Sequence, residues 1–319
     1  MKTLKLYHEA DGFTSTFFKT HVAHVSTSIE DCDFVISNSF EFGSVDQIKF
    51  QKDLDSYINY KKRVIVFLIS DYNNTLQVPD NVLLFRTSMY RSLKKDNEEV
   101  LAYIFESFDL PFTALKKTDK PIVGFCGDVN SNKGNRLRTI SYLEKSDAID
   151  TNFIKRNFFG AARLDLREEF IQNILNSHFT MANRGAGNFS IRFYQVLSLG
   201  RIPLLVDNET VFPFEDEIDW HSFIVCAKTE KKLIEKVKDI WDTKTDDAIN
   251  EQLQKCKDIH DAYFTPTAYG KKMEILLQNE LVSPRKINKN NWLFVKFPHQ
   301  KYLISQYTFV LKKKNFRYV

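Results

Sequence analysis

Short, continuous apolar runs alternate with stretches of helical spacing in this chain, and that alternation constrains its fold more than any other feature. Leu4–His8, residues 33–37 (Asp-Phe-Val-Ile-Ser), Arg63–Ser70 and residues 81–86 (Asn-Val-Leu-Leu-Phe-Arg) are each strand length and β-rich. Strands covered by helices on both faces have this unbroken character, because neither side meets water. Residues 46–60 and 88–108 carry helical spacing between such runs, while residues 9–15 read as a loop. A doubly wound α/β layer is the expected result.

Residues 110–120, with Pro111 and a Lys-Lys-Thr-Asp-Lys run before Pro121, read as a linker, after which the alternation restarts. Strands are expected at 122–126, 153–158, 178–183, Ile202–Val206 and 222–227. Helices are expected at 135–144, 166–176, 190–199, 230–241 and 246–260. The sequence therefore predicts α/β units at 1–110 and 121–265 joined by a linker at 111–120. A C-terminal region at 266–319 holds a helix near 267–278 and an aromatic hairpin at 292–297 and 302–311. Two α/β units joined by a short linker leave a cleft between them, and ligands of open α/β sheets sit beyond the carboxyl ends of the strands.

Composition narrows the class of protein. Hydrophobic residues at 43% and charged residues at 27% are those of a globular chain, and 28 phenylalanines promise well-filled cores. Cys32, Cys126, Cys226 and Cys256 are scattered without a Cys-x-x-Cys pair, so neither a disulfide framework nor a zinc site is expected. No apolar run approaches a membrane span and no signal-peptide pattern opens the chain, which points to a cytoplasmic protein. The net charge of +4 is uneven, because residues 285–319 carry nine Lys and Arg and no acid. The remainder is mildly acidic, which argues against a nucleic-acid partner.

Glycine is scarce, and seven of the ten (Gly124, Gly127, Gly134, Gly160, Gly185, Gly187 and Gly200) lie between residues 124 and 200. The segment Arg184-Gly-Ala-Gly-Asn-Phe-Ser-Ile-Arg192 reads as a strand end, a turn and a helix start. Glycines allow close approach, a helix N-terminus favours an anion, and guanidinium forks neutralise it. The expectation is a diphosphate site.

This stretch resembles the exostosin-like glycosyltransferases. The blocks that carry the likeness are Arg184–Arg192, Tyr194-Gln195, Gly200-Arg-Ile-Pro203 and Pro213-Phe-Glu-Asp-Glu-Ile-Asp-Trp220, with Gly124-Phe-Cys-Gly127 and Arg136-x-Arg138 upstream. The resemblance covers roughly residues 121–260 and implies two facing Rossmann-like domains of GT-B type, the second holding a nucleotide-sugar donor. Many transferases of that fold place a glutamate where this chain has Gln195, to hold the ribose hydroxyls. A glutamine can still accept and donate there, without the charge.

Such a transfer needs stabilisation of the leaving diphosphate and a base for the acceptor hydroxyl. Expected donor contacts are Gly127, Arg136, Arg138, Arg184, Gly185, Gly187, Asn188, Ser190, Arg192 and Gln195, with Lys133 behind them. No metal or other cofactor is expected. The base should come from the first unit, with Glu9 leading, His8 and Asp11 next, and Asp71 after them. Asp31 and Asp33 read as turn residues, and His21 and His24 as structural. The expected function is an inverting, metal-independent transfer from a UDP-sugar to a hydroxyl of a glycan or glycoprotein. UDP-xylose is favoured because Gly187 offers nothing to read a larger sugar. The alternatives are a non-catalytic nucleotide-sugar or glycan-binding protein and a GDP-fucose-type transferase.

Overall fold

The computed structural model describes residues 2–285 apart from 44–45, 74, 105–106, 132–134, 159 and 161–162, with residues 38–43 and 47 entering by their backbone alone. Lys133, the expected hairpin and the basic residues after Arg285 lie outside the described residues.

The first unit runs β1 (Leu4–His8), α1 (Phe13–His21), β2 (His24–Ser26), β3 (Phe34–Gly43), α2 (Gln47–Ser56), β4 (Arg63–Ser70), β5 (Val82–Arg86) and β6 (Glu98–Val100). The second unit runs β7 (Ile122–Asp128), α3 (Asn135–Glu144), β8 (Asp150–Arg156), α4 (Arg167–Leu175), β9 (Phe179–Met181), α5 (Arg192–Ser198), β10 (Ile202–Val206), β11 (Val225–Ala227), α6 (Glu230–Thr243) and α7 (Asp246–Tyr263). A last helix, α8 (Pro266–Val282), follows.

Both sheets are wholly parallel, in the orders β2-β1-β3-β4-β5-β6 and β11-β10-β9-β7-β8. Counted from its own first strand, each follows the doubly wound order 2-1-3-4-5, and the first adds a sixth strand at its edge. The order reverses between β1 and β3 in one unit and between β7 and β9 in the other. Beside such reversals the crossover helices diverge to opposite faces and leave a crevice. Burial follows the sequence pattern: every residue of β4 after Arg63, and all of β5 and β10, are buried. Side-chain caps fix the helix starts, with Asp46 accepting from Ile48 and Lys49 at 3.0 and 3.1 Å, and Thr229, Thr245 and Thr265 capping α6, α7 and α8.

One expected helix is absent among the described residues. Residues 88–108 form a short 3-10 turn at Arg91–Leu93 and the edge strand β6. Their backbone donors go elsewhere: Arg91 N to Glu209 O at 2.8 Å, Phe108 N to the Ser198 hydroxyl at 3.1 Å, and Leu101 N to Arg86 O at 2.9 Å. The loop expected after β1 is in turn shortened by α1.

The chain passes between the units twice. Residues 110–120 lie along the second unit, where Leu115 N donates to Asn250 at 2.9 Å and Trp241 Nε1 to Thr118 O at 3.1 Å. Buried Arg201 donates to Thr113 O at 3.0 Å. Beyond α7, α8 returns to the first unit and packs on α1 and β1. Among the described residues no helix is long and apolar enough to cross a membrane.

Candidate functional site

At the carboxyl end of β7, beside the order reversal of the second sheet, lies a cavity of about 340 Å³. Gly127 and Asp128 from the end of β7, Arg156 from β8, Arg163, Leu166, Arg167 and Phe170 around the start of α4, and Ser190, Ile191, Arg192 and Gln195 at α5 line it. Phe108 and Arg136 complete the wall. Five arginines and one carboxylate line it; Asp128 accepts from Asn130 N at 2.9 Å and the Ser131 hydroxyl at 2.7 Å, and two of the arginines are paired with acids outside the lining, Arg156 with Glu169 and Arg163 with Asp165.

Arg192 is the most unusual of the five. It is 7% exposed, with its guanidinium 4.6 Å from the Phe125 ring centre and 5.7 Å from that of Phe170. One nitrogen, Nη2, donates to Cys126 O at 2.9 Å, whereas Nε and Nη1 are buried without a partner among the described residues. Burial pushes its pKa down to about 9, with the nearby Arg136 charge adding to the effect. A buried cation without a counter-ion is costly, and so is each unmade hydrogen bond. An anion in the cavity would relieve both.

Arg136 plays a different part. Its Nη1 donates to Asp128 O at 2.9 Å and its Nε to Arg184 O at 3.2 Å, so it ties the end of β7 to the turn after β9. Burial lowers its pKa, partly opposed by Asp128 and Asp71. Gln195 is 8% exposed and its side chain reaches the cavity, as Ser190 does. Arg138 does not line it. Its guanidinium pairs with Glu230 at 2.8 and 2.9 Å and joins α3 to α6.

The glycine turn differs from the sequence expectation. Arg184 points at the first unit, donating to the Tyr90 hydroxyl at 2.8 Å and to Asn188 Oδ1 at 3.0 Å. Asn188 N donates to the Ser88 hydroxyl at 2.5 Å, and its amide nitrogen donates to Met89 O at 3.0 Å. A side-chain carbon at Gly187 would stand 2.7 Å from Asp71 Oδ1 and from Ser88 Oγ. Arg184, Gly187 and Asn188 thus join the two units and do not form an open phosphate cradle. Gly185 serves the same turn by making room for Arg136, whose Nη2 lies 3.4 Å from its missing side chain. Because Gly187 is filled by the other unit, it leaves no gap beside a sugar, and the argument for a pentose loses its footing.

A second row of contacts reinforces this joint. Arg91 pairs with Glu215 and donates to Thr210 O at 2.7 Å, and the Glu209 carbonyl accepts from Arg91 N and from the Asn188 amide. Glu209 holds φ at +58°, a conformation that costs a non-glycine residue energy and persists only where its surroundings enforce it.

None of the three leading base candidates lines the cavity. Glu9 accepts from the Tyr57 and Tyr60 hydroxyls at 2.9 and 3.0 Å. His8 bonds Ser15 at 3.0 Å and His24 at 3.1 Å, and burial together with His24 drops its pKa to about 4. Asp11 pairs with Lys19 at 2.5 Å at the surface. Asp71 alone of the acids weighed in the sequence stands at the joint between the units. Sequence reasoning missed Arg156, Arg163 and Arg167. Their signal was a basic series running from the predicted strand at 153–158 into the first turn of the predicted helix at 166–176.

No protein-family model matches the chain. Over 74 residues it is 36% identical to Exostosin-1 of Drosophila melanogaster, a stretch covering 23% of this chain and 10% of that protein. Over 97 residues it is 25% identical to the Exostosin-1 homolog of Caenorhabditis elegans, covering 30% and 25%. The chain thus matches a quarter or less of the length of these relatives and is exostosin-like over that stretch. Among solved structures, TarM superposes with a TM-score of 0.43 at 9% identity, covering 77% of this chain and 54% of that one. AviGT4, a glycosyltransferase involved in avilamycin A biosynthesis, superposes at 0.35 with 8% identity, covering 88% and 98%.

Proposed function

We propose that this chain is a glycosyltransferase that binds the diphosphate of a UDP-sugar in the arginine-lined cavity and passes the sugar to a hydroxyl of a glycan acceptor. The observation that carries the reading is Arg192, buried with two unpartnered N–H groups in a cavity whose single carboxylate is already engaged. The exostosin-like stretch supports the same class of activity. In this reading Arg192 neutralises charge as it develops on the leaving diphosphate, with Arg167 and Arg156 at the rim, and no divalent cation is needed. Gln195, pointing into the cavity, hydrogen-bonds a ribose hydroxyl. Inversion at the anomeric carbon is the expected course.

Thermal shift with UDP, GDP and a panel of their sugars tests this. A ligand at 100 times its dissociation constant adds about 2.7 kcal/mol of stability. Arg192→Ala is expected to abolish the shift given by UDP-sugars, whereas Arg184→Ala keeps it, since Arg184 faces the first unit. Loss in both variants would return the phosphate to the glycine turn, and no shift from any nucleotide would refute the reading. The neutral Gln195 favours a second possibility, a binding protein without turnover, for which the panel gives a shift but no acceptor gives product.

A further inference from the structure

Four strands end the two sheets, β2 and β6 in the first unit and β11 and β8 in the second. The first three hold three residues each, whereas β8 holds seven, Asp150–Arg156, and none of the seven is buried. Asp150 N donates to Pro121 O and Arg156 O accepts from Val129 N, both at 3.0 Å on the β7 side. Backbone groups of successive strand residues point to opposite sides. Residues 150, 152, 154 and 156 therefore serve β7, while Thr151, Phe153 and Lys155 turn their N–H and C=O groups outward. Among the described residues β8 pairs with β7 alone. An open edge of this length is a template for another strand.

The sequence of β8 fits its own reverse. In an antiparallel pair centred on Phe153, Thr151 stands opposite Lys155 and Phe153 opposite itself, so every outward residue meets an outward residue. Asp150 then stands opposite Arg156, and opposite charges in that position stabilise a strand pair. Sliding the register by two residues either way leaves an outward residue of each copy unmatched and separates Asp150 from Arg156. Asp150 is exposed and makes no ion pair among the described residues, and Arg156, paired with Glu169, has further N–H groups to give. The helix above this edge adds apolar surface. Lys155 pairs with Glu144 at 2.7 Å, which puts Glu144 on the edgeward flank of α3. Leu137, two turns earlier on the same helix face, is 39% exposed.

We propose that this edge is the interface of a homodimer. β8 pairs with β8 of a second copy of the chain, antiparallel about a two-fold axis at Phe153, and the two five-stranded sheets run on as one. Arg156 also lines the arginine cavity, so the dimer sets Asp150 of the partner subunit beside one cation of that wall. This assembly does not depend on what the cavity binds.

Sedimentation velocity of the full chain over a micromolar concentration series is expected to show a monomer–dimer equilibrium. Thr151→Pro removes an outward N–H that β7 does not use, and should leave a monomer that melts where dilute wild type does. Asp150→Arg sets like charges opposite each other at both ends of the pair and should raise the dissociation constant about tenfold. This exposed position decides the matter if the proline variant does not fold. The native cysteines are all buried, so an engineered pair, Thr151→Cys with Lys155→Cys, reports the register. The two positions lie about 13 Å apart along one strand but about 5.5 Å apart across the dimer. Mild oxidation should therefore give a covalent dimer that neither single variant gives. A chain that stays monomeric throughout the series overturns the proposal, whether the amides of Thr151, Phe153 and Lys155 exchange freely or are protected by another part of the same chain. A dimer that neither Thr151→Pro nor Asp150→Arg weakens overturns it too.

Discussion

Under the proposed function, Arg192 gives up stability in exchange for ligand binding. Two buried N–H groups without partners oppose folding of the empty protein by about 1–3 kcal/mol, partly offset by the Phe125 and Phe170 ring faces. Arg192→Met, apolar and adaptable, is therefore expected to leave the melting temperature of the empty protein unchanged or raised, and to remove the stabilisation by UDP-sugars. Calorimetry with and without ligand checks both halves. His8 supplies a pH dependence of opposite character. Its pKa is lowered to about 4 by burial, then by His24 and Lys19, with Asp11 opposing. The unfolded chain, with its histidine near 6.5, binds more protons between these values, so stability is lost as pH falls from about 6.5 to 4. His8→Gln should flatten that part of a melting-temperature profile, although His178 and His260, lowered chiefly by burial, will keep some slope.

At the scale of elements, patterning was legible wherever an element is buried by its own unit. β1, β4 and β10 begin and end where their apolar runs do, and α3 matches its helical spacing. Reading failed where partners come from afar. Leu93, Leu101, Ile104 and Phe108 have spacing that suits a helix, yet the segment spends its backbone groups on Arg86, Ser198 and the Glu209 carbonyl. The site shows the same division. The strand–turn–helix that frames the cavity could be read from Gly127 and Arg192, but nothing local distinguishes an arginine that lines the cavity from Arg184, turned toward Tyr90. Helix α8 gives a sharp test of packing between elements. Gly270 sits directly against the main-chain carbonyl of His21 at the end of α1, which cannot move aside as a flexible side chain could. Gly270→Ala should cost about 1–3 kcal/mol in urea unfolding, whereas Ala at the exposed neighbour Lys271 should cost little.

At the scale of the whole molecule, two repeated sheet topologies face each other across a joint built from Ser88–Arg91 on one side and Arg184, Asn188 and Glu209 on the other. The polar contacts of the joint lie beside apolar ones, because a single hydrophobic cluster runs through both units and the Tyr103 ring stands 6.1 Å from that of Tyr194, and apolar contact of this kind limits relative motion between domains. Asn188→Ala removes one hydrogen bond across the joint, to Met89 O, together with the bonds to Arg184 and Glu209 O that brace it from within the second unit, and leaves the cavity lining intact. The expected result is a larger radius of gyration by small-angle scattering and weaker coupling of turnover to donor binding. An unchanged radius would mean that the remaining ties, Arg91–Glu215, Arg184–Tyr90 and α8 among them, hold the units without the Asn188 side chain.

Because the polypeptide crosses from one lobe to the other at residues 110–120 and returns through α8, the lobes are tethered at two points. Rigid bodies joined at a pair of pivots retain one easy rotation, like a door on two hinges. Any opening of the lobes would follow that single arc. Severing the 110–120 crossing with an engineered protease site should leave both fragments eluting together, since α8 still clasps the amino-terminal lobe.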